Sequence, residues 1–503
     1  MPKPRYATLR TLYNPVNVLE VLDSDALVLL FPAKKTVTGE DVLELHIHGG
    51  PATVKAVLAA IPRCSSRLSI RYAEPGEFTR RAFQNNRLDL AQVEALSDTL
   101  SAETEQQRRA AVRGNSGKLG RTYEGWRQQL LSARGELEAL IDFSEDQHFD
   151  ESPAELLESV AAQVMVMLKS IKFHEEASHR GELLKRGIRI SLIGPPNAGK
   201  SSLLNQIVGR EASIVSPEAG TTRDIVEVSL DIRGYLCTFA DTAGLRDDSS
   251  LNGHRTLQSS IGSIEREGIR RAKAKASEAD VIIALAYCDH NPNSVQAGDD
   301  LEKSKKGLIV TDEASYKIAM EAPYSLFVVN KFDSEIYSAV PVGPIIAEDL
   351  KWNLEIDPSF KKPGKDLYNP VMISCKDAQQ RSTTGPDTSD PGNIRLLVDK
   401  LVEVFERMTT LPVEMEDLIG VTERQRQLLS ACSEHLNLFL GEAKKDDEEC
   451  DIVLAAEHLR SAANCLSRIT GRGEAGDVEE VLGVVFEKYF HPYSFSYLRT
   501  NDH

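Results

Sequence analysis

Gly194-Pro195-Pro196-Asn197-Ala198-Gly199-Lys200-Ser201 stands between the hydrophobic run Arg189-Ile190-Ser191-Leu192-Ile193 and an amphipathic stretch that opens at Ser202-Leu203-Leu204-Asn205. The spacing fits GxxxxGK[ST] after a strand and before a helix, the setting in which such a loop wraps nucleotide phosphates. Glycines let successive backbone N–H groups face the phosphate oxygens, and the positive end of the following helix favours the anion. Asn197, Ala198, Gly199, Lys200, Ser201 and Ser202 are the expected loop residues. Lys200 is expected to reach the terminal phosphates, and the Ser201 hydroxyl to hold Mg²⁺.

Working outward, Asp241-Thr242-Ala243-Gly244 closes the strand-like run Leu236-Cys237-Thr238-Phe239-Ala240. An Asp there can hold Mg²⁺ through water, and the Gly244 N–H can sense the terminal phosphate. Asn330-Lys331-Phe332-Asp333 follows Ser325-Leu326-Phe327-Val328-Val329. The Asp333 carboxylate can accept two hydrogen bonds from guanine, at N1–H and the exocyclic amine, whereas adenine would leave it unpaired. Ser374-Cys375-Lys376, after Val371-Met372-Ile373, is expected to close over the base. Read singly these motifs are weak; in this order, each at a strand's end, they specify a GTPase. Thr221 and Thr222 lie in Gly220-Thr221-Thr222-Arg223-Asp224, where a switch loop carries a threonine for Mg²⁺, and Thr222 is the choice. Leu245 follows Gly244, where many GTPases place a water-orienting Gln. Leucine has no hydrogen-bonding group, so hydrolysis must recruit another polar group.

The chain has 503 residues, enough for two to four domains. Its formal charge of −17 argues against a broad, nonspecific nucleic-acid coat but leaves room for a local basic patch or for RNA contact through a partner. No apolar run approaches the roughly 20 residues needed to span a bilayer. Seven cysteines (Cys64, Cys237, Cys288, Cys375, Cys432, Cys450, Cys465) lack metal-ligand spacing and read as reduced thiols. His46 and His48 flank Ile47 with no supporting cysteine or carboxylate cluster, so no zinc site is expected there. The opening Met1-Pro2-Lys3-Pro4-Arg5-Tyr6 is too short and too soon strand-like to read as a targeting peptide.

The expected fold class is α/β and α. Residues 1–84 read as an N-terminal α+β module, with strands Ala26–Phe31 and Val42–Ile47, a turn at His48-Gly49-Gly50-Pro51, the helix Ala52–Ile61, and a turn over Pro75–Thr79. Residues 85–187 read as the first half of a helical domain, with Leu90, Val93, Leu96 and Leu100, then Leu131, Leu137, Leu140 and Ile141, at helical spacing. The same texture returns over 411–503 through Leu428, Leu429, Leu436, Leu438 and Leu440, then Leu454, Leu459, Leu466 and Ile469. This pattern predicts a helical bundle interrupted by an inserted Ras-like P-loop G domain over 188–410, a pairing through which the nucleotide state can move a helical platform. Asp247–Ser263, Asp289–Lys306, Glu348–Asp366 and Gln379–Asn393 are polar and read as surface loops.

With these residues in view, the chain resembles the MnmE or TrmE family of tRNA-modification GTPases, and its mitochondrial members most. The resemblance covers nearly the whole chain. It rests on Thr38-Gly39-Glu40-Asp41-Val42-Leu43-Glu44-Leu45 with His48-Gly49-Gly50-Pro51, and on Ala73-Glu74-Pro75-Gly76-Glu77-Phe78-Thr79-Arg80-Arg81-Ala82-Phe83 with Leu88-Asp89-Leu90-Ala91-Gln92-Val93-Glu94-Ala95. It rests also on Ile141-Asp142-Phe143, on the phosphate loop, on Ala219–Asp224 and on Asp241-Thr242-Ala243-Gly244-Leu245-Arg246.

The resemblance implies a homodimer that binds a 5-formyl-tetrahydrofolate-type donor in the N-terminal module. It implies work with an FAD-dependent MnmG or GidA partner on C5 of the wobble uridine of tRNA. It implies GTP hydrolysis assisted by K⁺, with Asn197, Ser216, Glu218 and Thr221 lining the ion's loop and Asn197 and Thr222 counted with the catalytic groups. Glu265, in Ile264-Glu265-Arg266-Glu267-Gly268-Ile269, matches the family's catalytic glutamate, with Glu267 the fallback. His48, Gly49, Gly50 and Arg80 are folate candidates. A mitochondrial matrix location follows, or the cytoplasm if the source is bacterial. The family's opening Gly-rich strand and its closing Cys-x-Gly-Lys are absent here, and both ends are expected to reflect a missed first exon and a missed splice site. The alternatives are a GTP-regulated scaffold that binds folate or RNA without one-carbon chemistry, and a ribosome-assembly GTPase. The HGGP and PGEFTRRAF stretches speak against the latter.

Overall fold

The computed structural model describes residues 2–66, 69–143, 153–215, 228–240, 277–289, 308–333, 370–380, 390–445 and 450–471. By chain position there are two compact units. The first comprises Met1–Ser101, Ala111–Ser178 and Gly420–His503, and the second Ala102–Ala110 and His179–Ile419.

The first unit opens with an antiparallel sheet of β1 (Thr8–Tyr13), β2 (Val21–Phe31) and β3 (Val42–His46), in that order. β2 pairs Val28 with Thr8 on one side and with Leu45 on the other. α1 (Pro51–Ala60) and α2 (Glu77–Gln84) follow. The turn expected over Pro75–Thr79 is shorter than that: Gly76 takes a left-handed φ of 75°, and α2 starts at Glu77. The Glu77 carboxylate accepts the Glu74 N–H at 2.8 Å and pairs with Arg71 and Arg81, which fixes the turn to the first helical turn. Hydrogen bonds from Arg71, then the Glu74 N–H, hold its pKa at about 2.

The helices that follow are α3 (Leu90–Ser101), α4 (Glu105–Gly114), α5 (Lys118–Phe143) and α6 (Pro153–Arg186), of which α4 up to Ala110 and α6 from His179 count with the second unit. Two late helices, α11 (Glu423–Glu442) and α12 (Ile452–Thr470), complete the first unit; α12 packs on α5, α11 and α3. Burial follows the helical period, with Leu90, Ala91 and Val93 on α3, Leu429, Cys432, Leu436 and Phe439 on α11, and Leu459, Leu466 and Ile469 on α12. Leu100, Leu438 and Leu454, expected among the core positions, are exposed: Leu438 and Leu454 sit off that stripe, and Leu100 keeps it but lies one residue from the end of α3, where no described element covers it. Glu94 of α3 accepts from the Thr422 hydroxyl at 3.2 Å, from Gln425 Nε2 at 2.7 Å and from Arg424 Nε, so one carboxylate ties α3 to the start of α11.

In the same unit Tyr123 of α5 is fully buried, with its hydroxyl 3.1 Å from Nδ1 of His174 on α6 and Trp126 packed on the His174 ring. Burial pushes the His174 pKa down to about 4. The folded state therefore favours the neutral ring. The stability it confers is complete above the unfolded value of about 6.5 and is lost as pH falls towards 4. Between pH 7 and pH 5 the wild type should lose about 2 kcal/mol from this group, a loss that His174→Gln should abolish in urea titrations at the two pH values.

The second unit is built on an eight-stranded sheet. Its strands are β4 (Ile188–Ile193), β5 (Ala212–Ile214), β6 (Val228–Ile232), β7 (Tyr235–Ala240), β8 (Val281–Asp289), β9 (Leu308–Val310), β10 (Ser325–Asn330) and β11 (Val371–Met372). The order is β11-β10-β8-β4-β7-β6-β5, with β9 antiparallel on β8. The pairs from β11 through β7 are parallel, and β6 and β5 return antiparallel. Its helices are α7 (Lys200–Arg210), α8 (Glu313–Glu321), α9 (Cys375–Gln380) and α10 (Ile394–Thr409). The central strands are buried on both faces, which is why β10 reads as a continuous apolar run. Ile190, Val328, Leu203, Leu401 and Phe405 share one core.

Candidate nucleotide-binding site

In a largely parallel sheet, the loops leaving the carboxyl ends of neighbouring strands converge on one edge, and a crevice opens where the chain reverses its direction across the sheet. Here β4 is that point, because the chain leaves it for β5–β7 on one side and continues to β8 and β10 on the other.

The loop from Gly194 to Gly199 joins β4 to α7 in a conformation its sequence dictates. Gly194 has φ 147°, and a Cβ there would sit 2.3 Å from the Leu285 carbonyl oxygen. Gly199 has φ 91°, and a Cβ would lie 2.2 Å from Nδ2 of Asn330. Asn197, at the exposed tip, holds a left-handed φ of 62°, which asparagine tolerates better than most residues. Lys200 Nζ donates to the carbonyls of Gly194 at 2.9 Å and Pro195 at 3.0 Å, so the ammonium lies over the loop. Ser201 and Ser202 occupy the first turn of α7, while Ala198 is fully buried.

Sequence reading treats Asn330, Lys331 and Asp333 as nucleotide ligands. The structure gives the first an internal task as well. Asn330 is 2% exposed; its Nδ2 donates to the Ala198 carbonyl at 2.8 Å, and its Oδ1 accepts the Cys375 N–H at 3.2 Å. One carboxamide thus joins the phosphate loop to the loop expected over the base. Asp333 accepts the Ser374 hydroxyl at 2.7 Å, and Lys376 Nζ lies 3.7 Å from its second oxygen. Ser374 also receives the Asp377 N–H at 3.0 Å. Lys331, with φ 61°, lays its ammonium 4.0 Å over the Tyr287 ring. Tyr287 escaped sequence reading because nothing in β8 marks it as more than a strand residue. Burial pushes the Cys375 thiol up to about 11, so it stays neutral.

Ser216, Glu218, Thr221, Thr222, Asp241, Gly244, Leu245, Glu265 and Glu267 lie outside the described residues, as do most positions of the four polar loops. β7 ends at Ala240, beside and parallel to β4. Among the described residues no group of three or more His, Cys, Asp or Glu is placed to hold a metal ion. No described helix is long and apolar enough to cross a membrane.

The folate candidates lie in the first unit. His48, Gly49 and Gly50 form the β3–α1 turn, and Arg80 lies on α2. Sequence reading missed Asp23 on β2. Its side chain, 1% exposed, accepts the His48 N–H at 2.8 Å, faces His48 Nδ1 at 2.9 Å and accepts the Asp25 N–H at 3.0 Å. Aspartate is rare inside a strand, and that is the one cue the sequence offers.

Two family models match the chain: "GTP-binding protein TrmE N-terminus" over residues 1–87 and "MnmE helical domain" over 90–489. The human protein named "5-taurinomethyluridine-[tRNA] synthase subunit GTPB3, mitochondrial" is 36% identical over 492 residues, 97% of this chain and 85% of its own length. "tRNA modification GTPase mss1, mitochondrial" of Schizosaccharomyces pombe is 36% identical over 493 residues, 97% of this chain and 88% of its own. "tRNA modification GTPase MnmE" of Parvibaculum lavamentivorans is 37% identical over 463 residues, 92% of this chain and 85% of its own.

Proposed function

Because the chain belongs to the MnmE/TrmE family of tRNA-modification GTPases, and to its mitochondrial type, we propose that it hydrolyses GTP in the modification of tRNA. The observation that supports this most is the Asn330 bridge. It couples a loop shaped for phosphates to a loop that holds Asp333 in place, at the edge where parallel strands β4 and β10 end.

In this reading Asp333 selects guanine, Lys200 and the loop N–H groups from Asn197 to Ser202 hold the phosphates, and Ser374, Cys375 and Lys376 close over the base. Lys331 supports the base loop from its seat on Tyr287. Mg²⁺ is held by Ser201, Thr222 and Asp241, with Gly244 sensing the terminal phosphate. Glu265 orients water, with Glu267 the fallback. K⁺ is held by Asn197 with Ser216, Glu218 and Thr221, and when bound it supplies positive charge beside the phosphoryl group being transferred. The exposed, left-handed Asn197 fits that task, since it stands at the loop tip.

The experiment is GTP turnover in K⁺ against Na⁺. Asn197→Gly preserves the left-handed backbone while removing the carboxamide. It should lose about a hundredfold of K⁺-stimulated turnover, leaving the two salts equal. An unchanged preference for K⁺ would remove Asn197 from the ion site.

We propose further that the chain forms a homodimer, takes a 5-formyl-tetrahydrofolate-type donor near His48, Gly49, Gly50 and Arg80, and works with an FAD-dependent MnmG-type protein on C5 of the tRNA wobble uridine in the mitochondrial matrix. Residues 1–84 serve as the folate and dimerisation module, 85–187 and 411–503 as the two halves of the helical domain, and 188–410 as the inserted G domain. Mass analysis of wobble uridines in cells lacking the protein tests the reaction.

A further inference from the structure

The pair formed by Asp23 and His48 is not explained by the fold alone. The carboxylate is almost wholly shielded, yet the imidazole it holds is 70% exposed. Three donors converge on Asp23, namely the His48 main-chain N–H, the His48 ring and the Asp25 main-chain N–H. The His48 N–H, followed by the Asp25 N–H, holds the Asp23 pKa below the usual carboxylate range. An ionised carboxylate can only accept hydrogen bonds, so the ring nitrogen facing it must carry the proton. In a neutral imidazole the other nitrogen, Nε2, is then an acceptor. The main-chain bond fixes the residue on Asp23, and the ring cannot swing away without giving up its own bond to the same buried group.

Its neighbour adds a second observation. Gly49 does not have a left-handed φ, and a Cβ built on it meets no atom within 4 Å. Among the described residues neither backbone conformation nor packing requires glycine there, and the backbone of Gly49 lies open next in sequence to the held His48. A residue without a side chain at such a place lets a ligand approach the backbone closely.

We infer that Asp23 is a positioning residue: it locks His48 as the Nδ1–H tautomer and presents the Nε2 lone pair, over the open face of Gly49, to an N–H donor of a reduced pterin. This rests on the folate reading above, since a reduced pterin carries amide and amine N–H donors on a flat ring. Asp23 itself does not touch the ligand; it sets which nitrogen His48 offers and where.

The test uses the full-length protein and 5-formyl-tetrahydrofolate, with affinity measured by calorimetry and the imidazole read by ¹⁵N NMR of histidine-labelled protein. His48→Ala and Gly49→Ala should each weaken binding at least tenfold, with thermal unfolding midpoints as in the wild type. Asp23→Asn leaves one acceptor where three donors converge. It should weaken binding comparably and move the His48 signal away from the Nδ1–H pattern. Wild-type affinity in His48→Ala would overturn the inference, and the pair would then serve only to hold the β3–α1 turn. If the wild type takes up no folate, the folate reading and the pterin assignment fall together. The NMR pattern still decides the rest: Nε2–H in the wild type refutes the positioning role, and Nδ1–H that is lost in Asp23→Asn upholds it.

Discussion

Replacing Asp333 by asparagine should lower the affinity for GTP by about a thousandfold while creating appreciable affinity for xanthosine triphosphate. The side chain is 13% exposed and is held on one side by the hydroxyl of Ser374, a fully buried residue, with Lys376 near the other oxygen. It cannot turn to find other partners. Guanine offers two adjacent N–H donors, and each hydrogen bond to a charged acceptor contributes about 1.5–3 kcal/mol. Asparagine keeps one acceptor and places an amide donor where the second stood, so one bond is lost and a donor meets a donor. A loss near 4 kcal/mol corresponds to about three powers of ten in the dissociation constant. Xanthine carries a carbonyl in place of the exocyclic amine and restores the match. Calorimetric titration with both nucleotides measures the switch; unchanged GTP affinity in Asp333→Asn would mean that the base is held elsewhere.

The second large effect lies in the helical unit. Glu94→Ala should destabilise it by about 3 kcal/mol, because three donors that converge on one carboxylate lose their acceptor together. Arg424 is the costliest of the three. Its side chain is 25% exposed, so its charge stays partly out of water, although it retains the carbonyls of Arg468 and Ile469 at the end of α12. The loss therefore falls at the low end of the range for broken buried pairs. Differential scanning calorimetry should show the transition of this unit lowered by roughly 8 °C. A companion variant, Arg424→Met with Glu94→Leu, replaces the network by apolar groups and should recover part of the loss, since no charge is then left without a partner. Equal loss in the single and double variants would show that packing, and not the carboxylate, joins α3 to α11.

Much of the site was legible before the structure. The phosphate loop, Asn330, Lys331, Asp333 and Ser374 each carry a signal because their chemistry needs a particular residue at a particular spacing beside a strand's end. The helical stripes were legible for the same reason: burial imposes a 3.6-residue period, and Leu429, Leu436, Leu459 and Leu466 keep it. Leu100, Leu438 and Leu454 looked the same in sequence and proved exposed, since hydrophobicity alone does not say whether another element covers the residue. β8, the strand between β4 and β10, carries no motif and became recognisable only through its neighbours.

What the amino-acid order determined alone was local: a glycine where φ must be positive, an apolar run where both faces of a strand are covered, a carboxylate placed after it. Which groups meet across long stretches of chain was decided only by the tertiary structure. Asn330 reaches Ala198, Glu94 reaches Arg424, and Asp23 reaches His48. A hydrogen bond depends on a separation of about 3 Å in space, and separation along the chain does not encode that distance until the strands and helices have packed.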